Sequence, residues 1–326
     1  MTLRSNSMIR IKGKPRSGKT QVAKNIYCQL PNRRILTFDY SGEHGLSRFP
    51  NVLSRSGNYG AYLPHMVNID DLGFDISEYD LKQDWMSLGI SDGAAEFCAL
   101  IARYSDKHHN NVQTYIQMLE DLPFGDGYIQ YFQKKWGIEL KGSINKFSYD
   151  NLMKNKHKIL AIFSQEYQTY NIPALLRRNH AVNINLSLSS DSFFYQREKA
   201  RLIVGKVLQK LTPYLSELSP VIVFEETDIL APAVKEDEYY SSGDWIRQYV
   251  LKLGRRHGCM LIFILQNDMF ADPCLVNECD YVIEHSFTGF MQDRGWFSVS
   301  DSGSGYKRYF IPDDASSQYE HYPGAV

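Results

Sequence analysis

The sequence predicts an α/β domain built on a mainly parallel sheet, with a helical segment inserted into its middle. Two observations carry this. Short apolar runs recur along the chain and are separated by stretches of helical periodicity, which leaves both faces of a sheet covered, as a parallel sheet requires. From about residue 76 to 179 the texture changes to helix after helix, as in AAEFCALIARY, NVQTYIQMLEDL and GYIQYFQKKWGI, broken by the turn signals PFGDG and KGS. No internal repeat or low-complexity linker is visible. Residues 1–75 and 180–326 are therefore expected to form one core, with 76–179 inserted into it.

In chain order, Met8 to Ile11 (MIRI) is expected as a strand, Lys19 to Leu30 as a helix, and Arg34 to Asp39 (RILTFD) as a second strand. After the helical middle, VNINLSL (182–188) is a strand candidate. Phe193 to about Leu215 follows as a long amphipathic helix that Pro213 ends or kinks. PVIVFEE (220–226), a helix over about Asp244 to His257, the apolar run CMLIFILQ (259–266) and YVIEH (281–285) complete the pattern.

Composition narrows the classes. The 326 residues are 43% hydrophobic and 22% charged, ordinary for a globular protein. A formal net charge of −1 provides no global basic field, so any contact with nucleic acid must come from a local patch. The start, MTLRSNSMIRIKGK, lacks an apolar signal-peptide core, and no apolar run is long enough to span a bilayer; a cytoplasmic protein is expected. The five cysteines (Cys28, Cys98, Cys259, Cys274, Cys279) lack CxxC spacing, which argues for reduced thiols over a metal site or a disulfide framework.

The stretch Gly13-Lys14-Pro15-Arg16-Ser17-Gly18-Lys19-Thr20, between the first strand and the first helix, fits G-x-x-x-x-G-K-[ST]. Glycines let successive backbone N–H groups turn inward around phosphates, and the following helix adds its positive dipole end. Lys19 is expected to reach the β and γ phosphates of a bound ATP, and the Thr20 hydroxyl to ligate Mg2+. Gly13, Pro15, Arg16, Ser17, Gly18, Lys19, Thr20 and Gln21 are thus the expected phosphate-binding residues.

A hydrolytic site of this kind needs acids on a second strand, and VIVF ends in Glu225-Glu226. Ligands sit at the carboxyl ends of parallel strands. Glu225 is expected to hold Mg2+ and Glu226 to orient or deprotonate the attacking water. Gln266, closing the run CMLIFILQ, places an amide where it can sense the γ phosphate, while Arg255 and Arg256 lie just before that strand.

With these elements in order, the chain resembles the HerA/FtsK superfamily of ring-forming, DNA-translocating ATPases, in particular its HerA and conjugation-ATPase branch. The resemblance rests on GKPRSGKT, FDYSGEHG (like D-x-x-G-E-Y), VNINLSL before a long helix, VFEETDILAP (like D/E-E-A-H) and GRRHGCMLIFILQ (like G-R-K-x-G ending in T-Q). It implies a RecA-like P-loop NTPase core, with Asp39 and Glu43 lining the site and Arg255 or Arg256 reaching a neighbour's nucleotide. It also implies a homo-oligomeric ring, a hexamer, acting on double-stranded DNA, with a nuclease, capsid or conjugation partner. Glu225 stands where the family has Asp, Asp228 where it has His, and Leu265 where it has Thr. Twelve residues precede the cradle, too few for the β-barrel of HerA-like proteins, which makes the chain look more like viral genome-packaging ATPases.

A second function class is a nucleotide-gated interaction module, whose ATP state controls a protein partner without translocation; DNA stimulation of ATPase activity separates the two. A small-molecule kinase fits less well, because nothing resembles an arginine-bearing lid. Lys107-His108-His109 reads as a solvated loop rather than a metal site, and the 22 tyrosines as amphipathic core-edge residues rather than base-stacking platforms. The basic clusters Lys134-Lys135, 154–158 and Arg177-Arg178 suit DNA phosphates and solvated helix faces equally. Asp313-Asp314 reads as a turn.

Overall fold

A computed structural model of the protein describes residues 6–15, 18–28, 30, 32–42, 64–105, 133–135, 137, 146–163, 170–187, 196–234, 240–286, 295–301 and 305–311. Nine strands form one sheet: β1 (Met8–Gly13), β2 (Ile35–Asp39), β3 (Pro64–Asn68), β4 (Ala181–Asn185), β5 (Val221–Phe224), β6 (Met260–Leu265), β7 (Tyr281–Ser286), β8 (Gly295–Asp301) and β9 (Gly305–Ile311). Their order is β3-β4-β2-β5-β6-β1-β7-β8-β9. The seven strands from β3 to β7 run parallel, and β8 and β9 add an antiparallel hairpin at one edge. The mainly parallel α/β sheet expected from the sequence is present.

Residue alternation assigns the two faces. Ile9 and Ile11 of β1, Val221 and Val223 of β5, and Ile262 and Ile264 of β6 pack with Val22, Ala23 and Ile26 of helix α1 (Lys19–Cys28). The alternate residues Leu36, Phe38, Ile222, Phe224, Leu261 and Phe263 enter a larger cluster on the other face. There Phe38, Phe224 and Phe263 form a ladder across β2, β5 and β6, with ring centroids 5.3 and 5.4 Å apart. Each buried Phe contributes about 1.5–3 kcal/mol.

That larger cluster also takes in the middle of the chain: Trp85 of α2 (Lys82–Met86), Ile101 of α3 (Asp92–Ser105), Leu152 of α4 (Lys146–Phe163) and Leu176 of α5 (Ile172–Arg178). The helix after β4, α6 (Gln196–Leu211), ends where Pro213 sits in a 3-10 turn, followed by α7 (Leu215–Leu218). A short α8 (Thr227–Leu230) comes directly after the double acid. Cys98, Cys259, Cys274 and Cys279 carry no disulfide.

The helix expected over 244–257 begins earlier, as α9 (Ser241–Gln248), then widens into a π-helical stretch, Tyr249–Leu253, before the helical turn Gly254–Arg256. Glycine is required in that turn: a Cβ on Gly254 would lie 2.8 Å from the Tyr249 carbonyl oxygen and 3.1 Å from Leu261 Cδ1. Three strands, β3, β8 and β9, were not expected from the patterning. In β3 only Val67 is buried, and the β8–β9 hairpin lies outside the strand–helix alternation.

Candidate active site

The site forms at the carboxyl ends of four adjacent strands, β2, β5, β6 and β1. β1 ends at Gly13 and α1 starts at Lys19. Between them Gly18 has φ 92°, which glycine adopts without Cβ strain. Lys19 is nearly buried, and its Nζ donates to the carbonyl oxygens of Gly13 and Lys14, each at 2.9 Å. The ammonium is thereby held inside the loop, where the β and γ phosphates of a P-loop ligand lie. Pro15 lies in the described part of this turn; Arg16, Ser17, the Gln21 side chain, and Glu43 of the next loop lie outside the described residues.

One step across the sheet, Glu225 is buried at the end of β5. Thr20 Oγ1 donates to its Oε1 and Ser41 Oγ to its Oε2, both at 2.6 Å. Fully buried Asp39, at the end of β2, stands beside it. Asn183 Nδ2 donates to Asp39 Oδ2 at 3.2 Å, and Thr37 Oγ1 fixes that amide by donating to Asn183 Oδ1 at 2.6 Å. Burial first, and then the adjacent Asp39, push the Glu225 carboxyl up to about 8. Two acids this close call for a cation. Among the described residues no group of three or more His, Cys, Asp or Glu is arranged to hold a metal ion. Mg2+ needs no such cage: it takes oxygen donors, one or two from carboxylates and the rest from water and substrate phosphate. The Thr20 hydroxyl and Glu225 carboxylate, already in contact, fit that donor set.

Glu226 turns the other way. Its backbone is left-handed, φ 49° and ψ 52°, an uncommon conformation for a non-glycine residue and one that clusters at functional sites. Its half-buried carboxylate accepts from Gln266 Nε2 at both oxygens, each at 3.0 Å. β6 pairs directly with β1 and β5, so Gln266 stands between cradle and acid. Asp228 lies two residues on in α8; burial first, and then the Glu226 charge, push its carboxyl above the usual range.

The arginines are elsewhere. Arg255 and Arg256 precede β6 and therefore lie at the amino edge of the sheet, opposite the cradle. Arg255 Nη2 donates to the Glu278 carbonyl at 3.0 Å and to Asp280 Oδ1 at 3.1 Å. Neither arginine lies beside the cradle of this chain. The sequence reading missed Ser41 and Asn183; Asn183 is one of three polar residues alternating along VNINLSL, and nothing local singles it out from Asn185 and Ser187.

No protein-family model matches the sequence, and no curated protein matches it. Solved structures do share its fold. The unbound bacterial conjugative coupling protein TrwBdeltaN70 aligns at TM-score 0.57 and 14% identity, covering 95% of this chain and 78% of that one. The plasmid coupling protein TrwB in complex with the ATP analogue ADPNP aligns at TM-score 0.59 and 10% identity, covering 95% and 85%. The genome packaging NTPase B204 from Sulfolobus turreted icosahedral virus 2, in complex with ATP-gammaS, aligns at TM-score 0.42 and 10% identity, covering 95% and 99%. The chain thus shares the α/β fold of the conjugative coupling protein.

The raised Glu225 carboxyl sets an expectation. A folded-state pKa above the unfolded value stabilises the protein below the unfolded value, and that contribution is lost as pH rises, here between 4.5 and about 8. Glu225→Gln removes the titration and can keep the Thr20 and Ser41 contacts. The variant should therefore melt no lower than wild type near pH 8 and show a flatter melting profile across that window. Mg2+ titrations of nucleotide binding should show it weaker and insensitive to pH. A variant with unchanged Mg2+ dependence would place the metal elsewhere.

Proposed function

We propose that this chain is an ATP-driven motor of the HerA/FtsK type. In this reading a homo-oligomeric ring, a hexamer, hydrolyses ATP at its subunit interfaces and moves double-stranded DNA, as a packaging-type translocase does. The observation that carries it is the Gln266 amide bridging both oxygens of Glu226 on the strand beside the cradle.

Lys19 binds the β and γ phosphate oxygens as it leaves the Gly13 and Lys14 carbonyls. When bound at Thr20 and Glu225, Mg2+ supplies positive charge to the same phosphate oxygens. With ATP present, the Gln266 amide turns toward the γ phosphate and frees Glu226, which accepts a proton from the attacking water. The water oxygen bonds to the γ phosphorus, and the bond to the bridging oxygen breaks with its electron pair leaving on ADP. The base is thus capped until the γ phosphate arrives, which suits a motor that must not idle.

Two measurements test the reading. ATPase activity should rise on adding duplex DNA, and the particle mass should increase to that of a ring with ATP analogue and DNA. Hydrolysis indifferent to DNA would leave a nucleotide-gated interaction module. Placement of Arg255 and Arg256 away from their own cradle supports action on a neighbour's. In mixtures of Lys19→Ala with Arg255→Ala or Arg256→Ala, some interfaces regain both a sound cradle and a sound arginine, so activity should partly return. Fingers of this kind contribute on the order of 10³-fold to turnover. No recovery despite subunit exchange rejects a shared site.

A further inference from the structure

At the amino edge of the sheet, away from the active site, a cavity of about 470 Å³ opens beside the starts of β2, β4 and β5. Asn32, Arg34, Arg177, His180, Glu217 and Leu218 line it. Its one acid is already neutralised: Arg177 Nε and Nη2 donate to Glu217 Oε1 and Oε2 at 2.7 and 2.8 Å, and the guanidinium lies 4.9 Å over the Tyr214 ring. Arg34 is half-buried, yet its side chain makes no hydrogen bond or ion pair among the described residues. Beside it, burial and the Arg34 charge push the His180 imidazole below its ordinary range. The Arg34 guanidinium therefore lines this space with no carboxylate of the described residues paired to it, and an anion is the partner that its charge favours.

We propose that this cavity is a second anion site, which takes a phosphodiester of the nucleic-acid backbone. The polymer rests on the motor reading; the oxyanion rests on the cavity itself. The volume falls in the range of small-ligand sites and exceeds what a carboxylate side chain would fill, so a phosphate with its flanking sugars fits better than an acidic protein segment. The surroundings agree in charge. Exposed Arg178, Arg255 and Arg256 lie along the same edge, and of its acids Glu217 and Asp280 are paired with arginines. The opposite edge holds the ATP cradle, so this cavity and the nucleotide site lie at opposite ends of the strands. Arg34 precedes β2 and Arg256 precedes β6, two strands away and so about 10 Å along the edge. Contacts made here go to the backbone and carry no base reading.

The test uses the full chain, with Arg34→Gln and Arg34→Lys, neither of which touches the ATP site. The probes are a labelled DNA duplex followed by anisotropy over a salt series, and inorganic phosphate followed by calorimetry. Loss of one phosphate contact in Arg34→Gln should weaken duplex binding equally for unrelated sequences and reduce the log–log salt slope by about 0.9. Arg34→Lys should keep the slope, and both variants should retain the wild-type melting point and DNA-free ATPase rate. If wild type binds duplex and Arg34→Gln binds it with the same affinity and slope, the site is refuted while the motor reading stands. If wild type binds only inorganic phosphate, and does so through Arg34, free phosphate is the ligand and the polymer assignment falls with the motor reading. If neither probe binds, both fall.

Discussion

A Lys19→Ala protein is expected to fold normally and lose ATP turnover by about 10²-fold or more. Lys19 is the cation that α1 aims into the loop, and its partners there are the loop's own carbonyls at Gly13 and Lys14, which water can replace. Fold and chemistry are therefore separable at this residue. The loss should appear first in binding: ATP analogue should no longer raise the melting point, because stabilisation by a ligand vanishes with its affinity. Glu226→Gln should behave differently. Volume is kept, ATP binds, and removal of the base costs roughly 10²–10⁴ in turnover. Gln266 can no longer donate to two oxygens there, so the amide cap loosens as well. The pair of variants thus separates cradle from base: one loses the nucleotide, the other retains it uncleaved. Wild-type turnover in a folded Lys19→Ala protein removes the site assignment. ATP trapped by Glu225→Gln, with normal hydrolysis by Glu226→Gln, exchanges the roles of the two acids.

The core strands were legible because strands buried on both faces read as unbroken apolar runs; MLIFIL of β6 and VIVF of β5 are buried at every residue. The site followed from them, since the motif at Gly13, the acids after Phe224 and Gln266 after Leu265 all fall where parallel strands end. β3 was not legible: PHMVN buries one residue, and its place beside β4 is set by pairing that no local pattern announces. Ser41 was hidden for a related reason. Its partner Glu225 lies far along the chain, and only the order β2-β5 brings them together. Arg255 and Arg256 were legible as a motif, but the edge they occupy needed the direction of β6.

Burial of a full charge is the feature least visible in the sequence, and it carries the largest stability effect expected here. Lys206 of α6 and Asp84 of α2 are each fully buried, and their Nζ and Oδ2 atoms are 2.6 Å apart. Lys206 also donates to the Glu78 carbonyl and, at 2.9 Å, to Gln209 Oε1, and lies 5.2 Å over the Tyr79 ring. Asp84 Oδ1 accepts from Ser241 Oγ at 2.7 Å, which ties in the start of α9. Three helices thus meet on one ion pair. Removing a single partner leaves the other charge without compensation, so Lys206→Met is expected to lose about 3–5 kcal/mol of stability in chemical denaturation. The pH dependence has a defined sign. Burial already holds the Asp84 carboxyl above its ordinary range despite Lys206, and without the lysine it rises further. A raised carboxyl contributes stability below its unfolded value and loses that contribution as pH rises, so the variant should be less impaired in acid than at neutral pH. Adding Asp84→Asn, which can still accept from Ser241, should recover most of the loss, because no unpaired charge remains. A double variant no more stable than Lys206→Met would show that packing of the lysine stem, not the charge, holds these helices together.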